Sequence, residues 1–306
     1  MDTLRYRHFP RSVRTLHRVR EGFLILLLAF SGASPLLLAE VSPYASWEKT
    51  LTSAASDPFP AVEPFRASYR FGWEGIAAGG AEVEVMEGSD SSGNSNPSRR
   101  RITGKGGPNG LIRKLWNYQA EYVGEAGTQG QVPSWFHMDE EVSKGDYLSD
   151  AYFNSNGFGS GNGGGGSLLA CHRFPWEKKP WTFAKLPGVR DLFAAMLLVR
   201  SQPLHDGDHL RLTVFPDRSP YLVDLVVEGR DTLTILGKKI RAIRFSVGIQ
   251  SVETKGPQIG RLAPHKKFRS GRVWMSDDAR RLPLRAEVDV FIGSVFAELS
   301  KITPSL

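Results

Sequence analysis

"GRVWMSDDARRLPLRAEV", Gly271–Val288, is the stretch that separates a chemical site from a turn. Val273 and Met275 share one parity on its first side. Leu284, Ala286, Val288 and Val290 share one on its second side, against Arg285, Glu287 and Asp289. Period-two alternation on both sides marks two half-buried strands. Asp277 and Asp278 then fall in the loop of a β-hairpin, where Asp favours turns by bonding its own backbone. Arg280 and Arg281 stand close enough to neutralise them, and Pro283 restricts re-entry into the second strand. What resembles a carboxylate dyad for acid–base or metal chemistry reads better as a turn.

The same alternation recurs along the chain. In "PFRASYRFGW", Phe65, Ala67, Tyr69, Phe71 and Trp73 occupy one parity, an aromatic-heavy face. The Gly-rich turn of "EGIAAGGAEVEV" leads into Ala81, Val83 and Val85, which completes a hairpin with one apolar and one wet face. "GSDSSGNSNPS" (88–98) reads as a loop, and "RRRITGK" resumes a strand. "PNGLIRKLW" (108–116) fits one short helix. Further strands are expected at 132–142, 146–154, 167–174, 209–215, 221–229, 237–249, 268–276 and 282–291. A Gly-rich loop (157–167) carries no Lys-Ser/Thr and hence no phosphate-binding pattern.

One strong helix lies at "RDLFAAMLLVR" (190–200), with Asp191 as N-cap and Arg200 suited to its C-terminal end. Phe193, Met196, Leu197 and their neighbours leave it almost no polar face, so it must be buried. Many strands, few helices and no βαβ alternation define a mainly β domain. The expected architecture is a curved antiparallel sheet or open barrel-like sandwich with one or two short helices, residues 190–200 packing on or in the sheet.

The N-terminus explains much of the net charge of +7. Residues 1–22 hold six arginines against Asp2 and Glu21, which is +4; residues 23–39 are uncharged; the remaining body is therefore only +3. That mild charge argues against a nucleic-acid binder. The order of basic start, "FLILLLAF" and small residues is that of a secretory signal peptide, cut after Ala33 or Ala39. The alternative is a retained inner-membrane anchor, with membrane contact only through residues 23–39. Either way the body is exported, as a periplasmic, secreted or membrane-tethered domain. Residues 40–60 read as a flexible linker and 61–304 as a single β-rich domain. Cys171 is the sole cysteine, which excludes an internal disulfide and a cysteine-built zinc site. It reads as a buried small hydrophobe.

The order of "YRFGWEGIAAGGAEVEV", "PNGLIRKLW", "DLFAAMLLVRSQPLHDGD", "LVVEGRDTLTILGKKIRAIRF" and "GRVWMSDDARRLPLRAEVDVFIGSVFAEL" resembles the bacterial domain of unknown function 3108 family, from about Phe65 to Leu299. The departures are the Gly-rich insert at 157–166 and the charged stretch "KGPQIGRLAPHKKF" (255–268). The resemblance implies an exported, β-rich envelope protein. It brings no established activity, so no catalytic residue is carried over.

Local chemistry offers few candidates. "LHDGDH" supplies His205, Asp206, Asp208 and His209, good ligand types, but Asp-Gly marks a turn joining a helix to a strand. In "HMDEE", His137, Asp139 and Glu141 share one strand face, with Glu140 between them; a solvated face is the plainer reading. Arg200, on an apolar helix, needs a partner, either C-terminal carbonyls of that helix or a carboxylate such as Asp277 or Asp278. No Gly-x-Ser-x-Gly, His-Glu-x-x-His or Ser-x-x-Lys motif occurs, and no cofactor is implied. The leading expectation is a non-enzymatic binding protein whose curved sheet shelters an apolar small molecule or lipid. Tyr69, Phe71, Trp73, Phe193, Met196, Leu197 and Trp274 would line the cavity. The alternative is a scaffold with an envelope protein partner, and third a metal-dependent enzyme.

Overall fold

The computed structural model describes residues 47–55, 63–89, 95–115, 117–128, 131–142, 146–154, 167–172, 186, 188–216, 219–290 and 293–303. The signal or anchor segment (1–39) and the glycines of the Gly-rich loop lie outside the described residues.

Two meanders make one sheet. The first runs β1 (Phe65–Trp73), β2 (Ile76–Ser89), β3 (Ser95–Pro108), β4 (Tyr118–Gly127), β5 (Pro133–Val142), β6 (Tyr147–Asn154) and β7 (Ser167–His172), with helix α1 (Gly110–Leu115) between β3 and β4. The second begins with β8 (Val189–Arg190) and helix α2 (Leu192–Arg200). It continues through β9 (His209–Val214), β10 (Tyr221–Ile235), β11 (Lys238–Val252), β12 (Leu262–Pro264), β13 (Phe268–Ser276), β14 (Pro283–Val290) and β15 (Gly293–Thr303). The sheet order is β7-β6-β5-β4-β3-β2-β1-β15-β14-β13-β11-β10-β9-β8, with β12 paired to β11. The first and last described strands, β1 and β15, join the two meanders near the centre. All pairings are antiparallel except β8 with β9. Among the described residues the sheet does not close on itself, so the fold is an open, barrel-like β architecture of the class the alternation indicates.

Turn chemistry sets the hairpins. Glu74 and Gly75 have φ of 48° and 77°, and Leu236 and Gly237 have 52° and 73°. Two successive left-handed residues make the tight turn whose twist matches the flanking strands. The β1–β2 turn is therefore at Glu74-Gly75, and the Gly-rich run expected as a turn is strand instead. Gly79 lies within β2 because a Cβ there would stand 2.3 Å from the Phe71 ring. The charged stretch 255–268 forms a 3-10 turn at Gly256–Gln258 and the small strand β12.

Helix α2 occupies the concave side of the sheet. Phe193, Ala194 and Leu197 join the cluster that includes Phe65, Phe71, Ile102, Tyr122 and Phe136. Ala195, Leu198 and Val199 join a second cluster with Leu210, Leu212, Val223, Phe245 and Met275. A helix apolar all round thus finds apolar cover on both sides. Asp191 caps it, its Oδ1 accepting from the N–H of Phe193 (2.7 Å) and of Ala194 (3.0 Å). Phe193 sits in a notch left by two glycines. A Cβ on Gly124 would come within 2.9 Å of its ring, and one on Gly104 within 3.0 Å.

The stretch expected as a flexible linker is partly built into the domain. Trp47 is buried and donates its indole N–H to Gly260 O at 2.9 Å. Thr52 N donates to Arg211 O, and Arg211 N donates to Thr52 Oγ1, each at 2.8 Å. These bonds occupy outward backbone groups of β9 beside the short pairing with β8, so part of an exposed edge is covered.

Candidate functional site

Built from the residues upward, three regions hold the groups singled out by sequence. The first is the β13–β14 loop. Asp278 Oδ1 accepts from Ser276 Oγ (2.7 Å), Arg280 N (3.0 Å) and Arg281 N (3.2 Å), an Asx-type turn. Asp277 faces the other way, onto Arg241 (2.9 Å), Arg230 (3.6 Å) and Arg281 (3.9 Å). The two carboxylates therefore serve different partners. Arg200 reaches this loop across the fold, but through main chain: Nε donates to Arg281 O (3.0 Å) and Nη2 to Arg280 O (2.8 Å). Its guanidinium also lies 4.7 Å from the centre of the Phe65 ring. The carboxylate pairing considered for Arg200 is replaced by carbonyls, because the left-handed Arg281 (φ 49°) turns the loop's main-chain oxygens toward the helix end. The carbonyls of α2 itself are met by Ser201, whose N–H and hydroxyl cap the last turn. Burial lowers the Arg200 pKa to about 10, opposed by Tyr69, Asp278 and Glu63.

The second region is the turn after α2. Asp208 Oδ2 accepts from His205 N (2.7 Å), Asp206 pairs with Arg230, and Gly207 N donates to Val227 O (2.9 Å). His205 is 78% exposed in its side chain and His209 is exposed. The acids are thus engaged in the turn and in an ion pair. Among the described residues no group of three or more His, Cys, Asp or Glu is gathered as a metal site.

The third region is the sheet itself. Phe71, Phe193 and Leu197 are buried in the interior clusters, and Met196 packs against them. Tyr69 donates its hydroxyl to Pro283 O (3.0 Å), and burial raises its pKa. Trp73 departs from its row: a bulge at Phe71/Gly72 precedes it, and it is 39% exposed. Trp274 lies in a row of directly opposed residues, Arg244, Trp274, Arg285, Glu298 and Arg70. Its indole N–H donates to Asp231 (2.8 Å) and Arg285 lies over its ring. Trp274 is also 7% exposed and belongs to the same buried cluster as Phe193, so it joins the apolar interior to this ionic row.

Sequence reasoning missed the buried polar groups. Glu140, 1% exposed, accepts from the hydroxyls of Tyr118 (2.8 Å) and Tyr122 (3.0 Å) on the same oxygen. Burial, reinforced by Tyr118 and Glu140, raises the Tyr122 pKa. The signal is present in "FHMDEEV": Glu140 shares the inward parity of Phe136, Met138 and Val142. Its neighbours Asp139 and Glu141 face outward, and His137 is bonded to Asp150 at 2.9 Å. Arg190 is also buried, donating to Gln131 O (3.3 Å) and Gly188 O (3.1 Å), with its pKa lowered to about 10 by burial and partly restored by Asp191.

An open groove of about 730 Å3 runs over β1–β5 beside α1. Opposed glycines Gly80 and Gly107 leave its floor without side chains. Glu121, Asp139, Glu141 and Asp146 line it together with Arg70, Lys105 and Arg113. Lys105 stands directly opposite Glu121 on β3 but pairs with Glu82 at 3.3 Å, and among the described residues the four carboxylates form no ion pair of their own. Glu121 and Asp139 stand directly opposite on β4 and β5, an unfavourable like-charge pair.

The class defined by these features is an open, barrel-like β domain with its own helix inside the curve. The chain belongs to the family described as protein of unknown function (DUF3108), which matches residues 65–300. No curated protein matches the chain. A solved β-barrel-like protein of domain of unknown function DUF1849 from Brucella abortus is similar at 12% identity, covering 79% of this chain and 98% of that one, with a TM-score of 0.48. An exported protein with a YmcC-like fold from Bacteroides fragilis is similar at 10% identity, covering 81% and 100%, with a TM-score of 0.30. The lipoprotein YmcC from Escherichia coli is similar at 8% identity, covering 96% and 98%, with a TM-score of 0.29.

Proposed function

We propose that this chain is an exported cell-envelope protein that acts by binding, as a scaffold for an envelope partner. One observation carries the choice: α2 lies within the curve of the sheet, buried between two apolar clusters. A carrier of an apolar ligand needs that space, and Phe193 and Leu197 are engaged with the core. The groove over β1–β5 supports the scaffold reading, since among the described residues four of its carboxylates form no ion pair and suit a partner segment that presents basic groups. Export rests on the basic, then apolar, then small-residue order of the N-terminus.

The test combines two measurements. Cross-linking and capture from envelope fractions are compared between the natural chain and an Asp139→Lys/Glu141→Lys variant. A partner lost on charge reversal supports the reading. The purified protein is also extracted with organic solvent for mass spectrometry. Stoichiometric co-purifying lipid, with capture unaffected by charge reversal, would return the function to an apolar-ligand carrier.

A further inference from the structure

Asp191 is an unusual cap. It is fully buried, and its Oδ1 accepts two of the free N–H groups of the first turn of α2, those of Phe193 and Ala194. Its other oxygen, Oδ2, is buried with no hydrogen-bond partner among the described residues. A caps-only role needs one oxygen and leaves the carboxyl's ionisation unexplained, since Ser or Asn caps a helix as well. An ionised carboxylate with an unsatisfied oxygen in an apolar interior is costly, whereas the neutral acid is far less so.

The surroundings decide which form prevails. From β4, Gly124 brings bare backbone against Oδ1, and Tyr122 shares the same inward parity. Tyr122 is committed to Glu140 of β5. From β3 comes Gly104, from β5 Phe136, and from α2 Phe193. Among the described residues the charged group acting on Asp191 is Arg190 of β8, which also bonds the Gln131 carbonyl in the β4–β5 turn. Apolar contact thus outweighs cationic support.

We propose that Asp191 is a pH-sensitive latch on the interior helix. As a neutral acid it holds the first turn of α2 in the glycine notch; as a carboxylate it draws that turn open toward water. Burial raises its pKa from 3.8 to about 7, opposed by the capped backbone N–H groups and Arg190. In an opened, hydrated turn the ordinary value returns. The closed state therefore has the raised pKa, and its advantage is complete below the ordinary value. It declines as pH rises through the window from 3.8 to about 7 and is constant above it. Over that window the opening equilibrium rises by up to roughly a thousandfold, tenfold per pH unit. The helix inside the sheet is tight in acid and loosened at neutrality, whatever the groove binds.

The experiment uses the full chain. Amide exchange at Phe193–Leu197 is compared at matched pH between the natural protein and Asp191→Asn, so that intrinsic exchange chemistry cancels. The ratio of opening, natural over variant, is expected to climb at least tenfold from about pH 4 to about pH 7. A ratio flat across the window, or one that falls, overturns the latch. Asp191→Ser repeats the comparison with a cap that cannot titrate, in case Asn's buried amide prevents folding. The Asp191 carboxyl-carbon shift, followed by NMR on the unaltered chain, reads the titration without any substitution. A midpoint near neutrality supports the latch, and one at or below about pH 4 overturns it.

Discussion

The glycine notch under Phe193 can be tested as a lock and key. A Cβ on Gly124 would lie 2.9 Å from Phe193 Cδ2, but at an ordinary 3.5 Å from Phe136 and from Asp191 Oδ1. The clash is therefore with one ring. Gly124→Ala forces that ring or the strand to shift, at ~1–3 kcal/mol. Phe193→Ala removes a ring that is 5% exposed and packed edge-on against Phe136 at 5.9 Å. The loss of transfer energy and the residual void cost ~3–5 kcal/mol. For a domain of this size that is a fall in Tm of roughly 6–20 °C. In the double variant the ring is absent, so the new methyl meets open space and strand propensity favours Ala over Gly. Gly124→Ala should then be neutral or slightly stabilising, giving a coupling energy of ~1–3 kcal/mol. Urea unfolding of the four proteins, followed by tryptophan fluorescence, measures the cycle. Equal cost of Gly124→Ala in both backgrounds would refute the notch as the seat of α2.

Three further outcomes follow from named contacts. Arg200→Leu leaves the carbonyls of Arg280 and Arg281 buried without their donors and should cost ~2–4 kcal/mol in urea unfolding; Arg200→Lys, a single point donor, should restore less than half. Glu140→Ala strands two buried phenols and should cost ~2–4 kcal/mol, while Glu140→Gln keeps an acceptor and should cost under ~1.5 kcal/mol; similar costs for both would deny the acceptor role. Trp47→Ala should lower stability by ~2–5 kcal/mol and, by loosening the segment over β9, increase light scattering at high concentration; an unchanged Tm would mean the segment does not cover that edge.

The strand face was legible where alternation was clean. Leu284, Ala286 and Val288 alternate with Arg285 and Glu287, and the hairpin follows. At β15 the pattern is blurred: Val295, Ala297 and Leu299 share a parity, but Phe296 breaks the contrast. That strand, which holds the two meanders together through β1, is not marked by period-two alternation. The Gly-rich run at 77–80 misleads for a related reason. Glycine signals a turn locally, yet here it answers a ring on the neighbouring strand, information that lies outside the segment.

The sequence by itself determined the β class, most strand positions, the capped apolar helix and the hairpin nature of Asp277-Asp278. These depend on residues within a few positions of one another, so period and turn chemistry suffice. Only the tertiary structure decided that α2 lies in the curve of the sheet, that Arg200 holds a distant loop by its carbonyls, and that Glu140 joins two tyrosines. Each of these rests on sheet curvature and on pairing between residues as far apart as Arg66 and Thr303. The same burial that fixes α2 removes water from Asp191, and so turns an ordinary helix cap into a titrating group near neutrality.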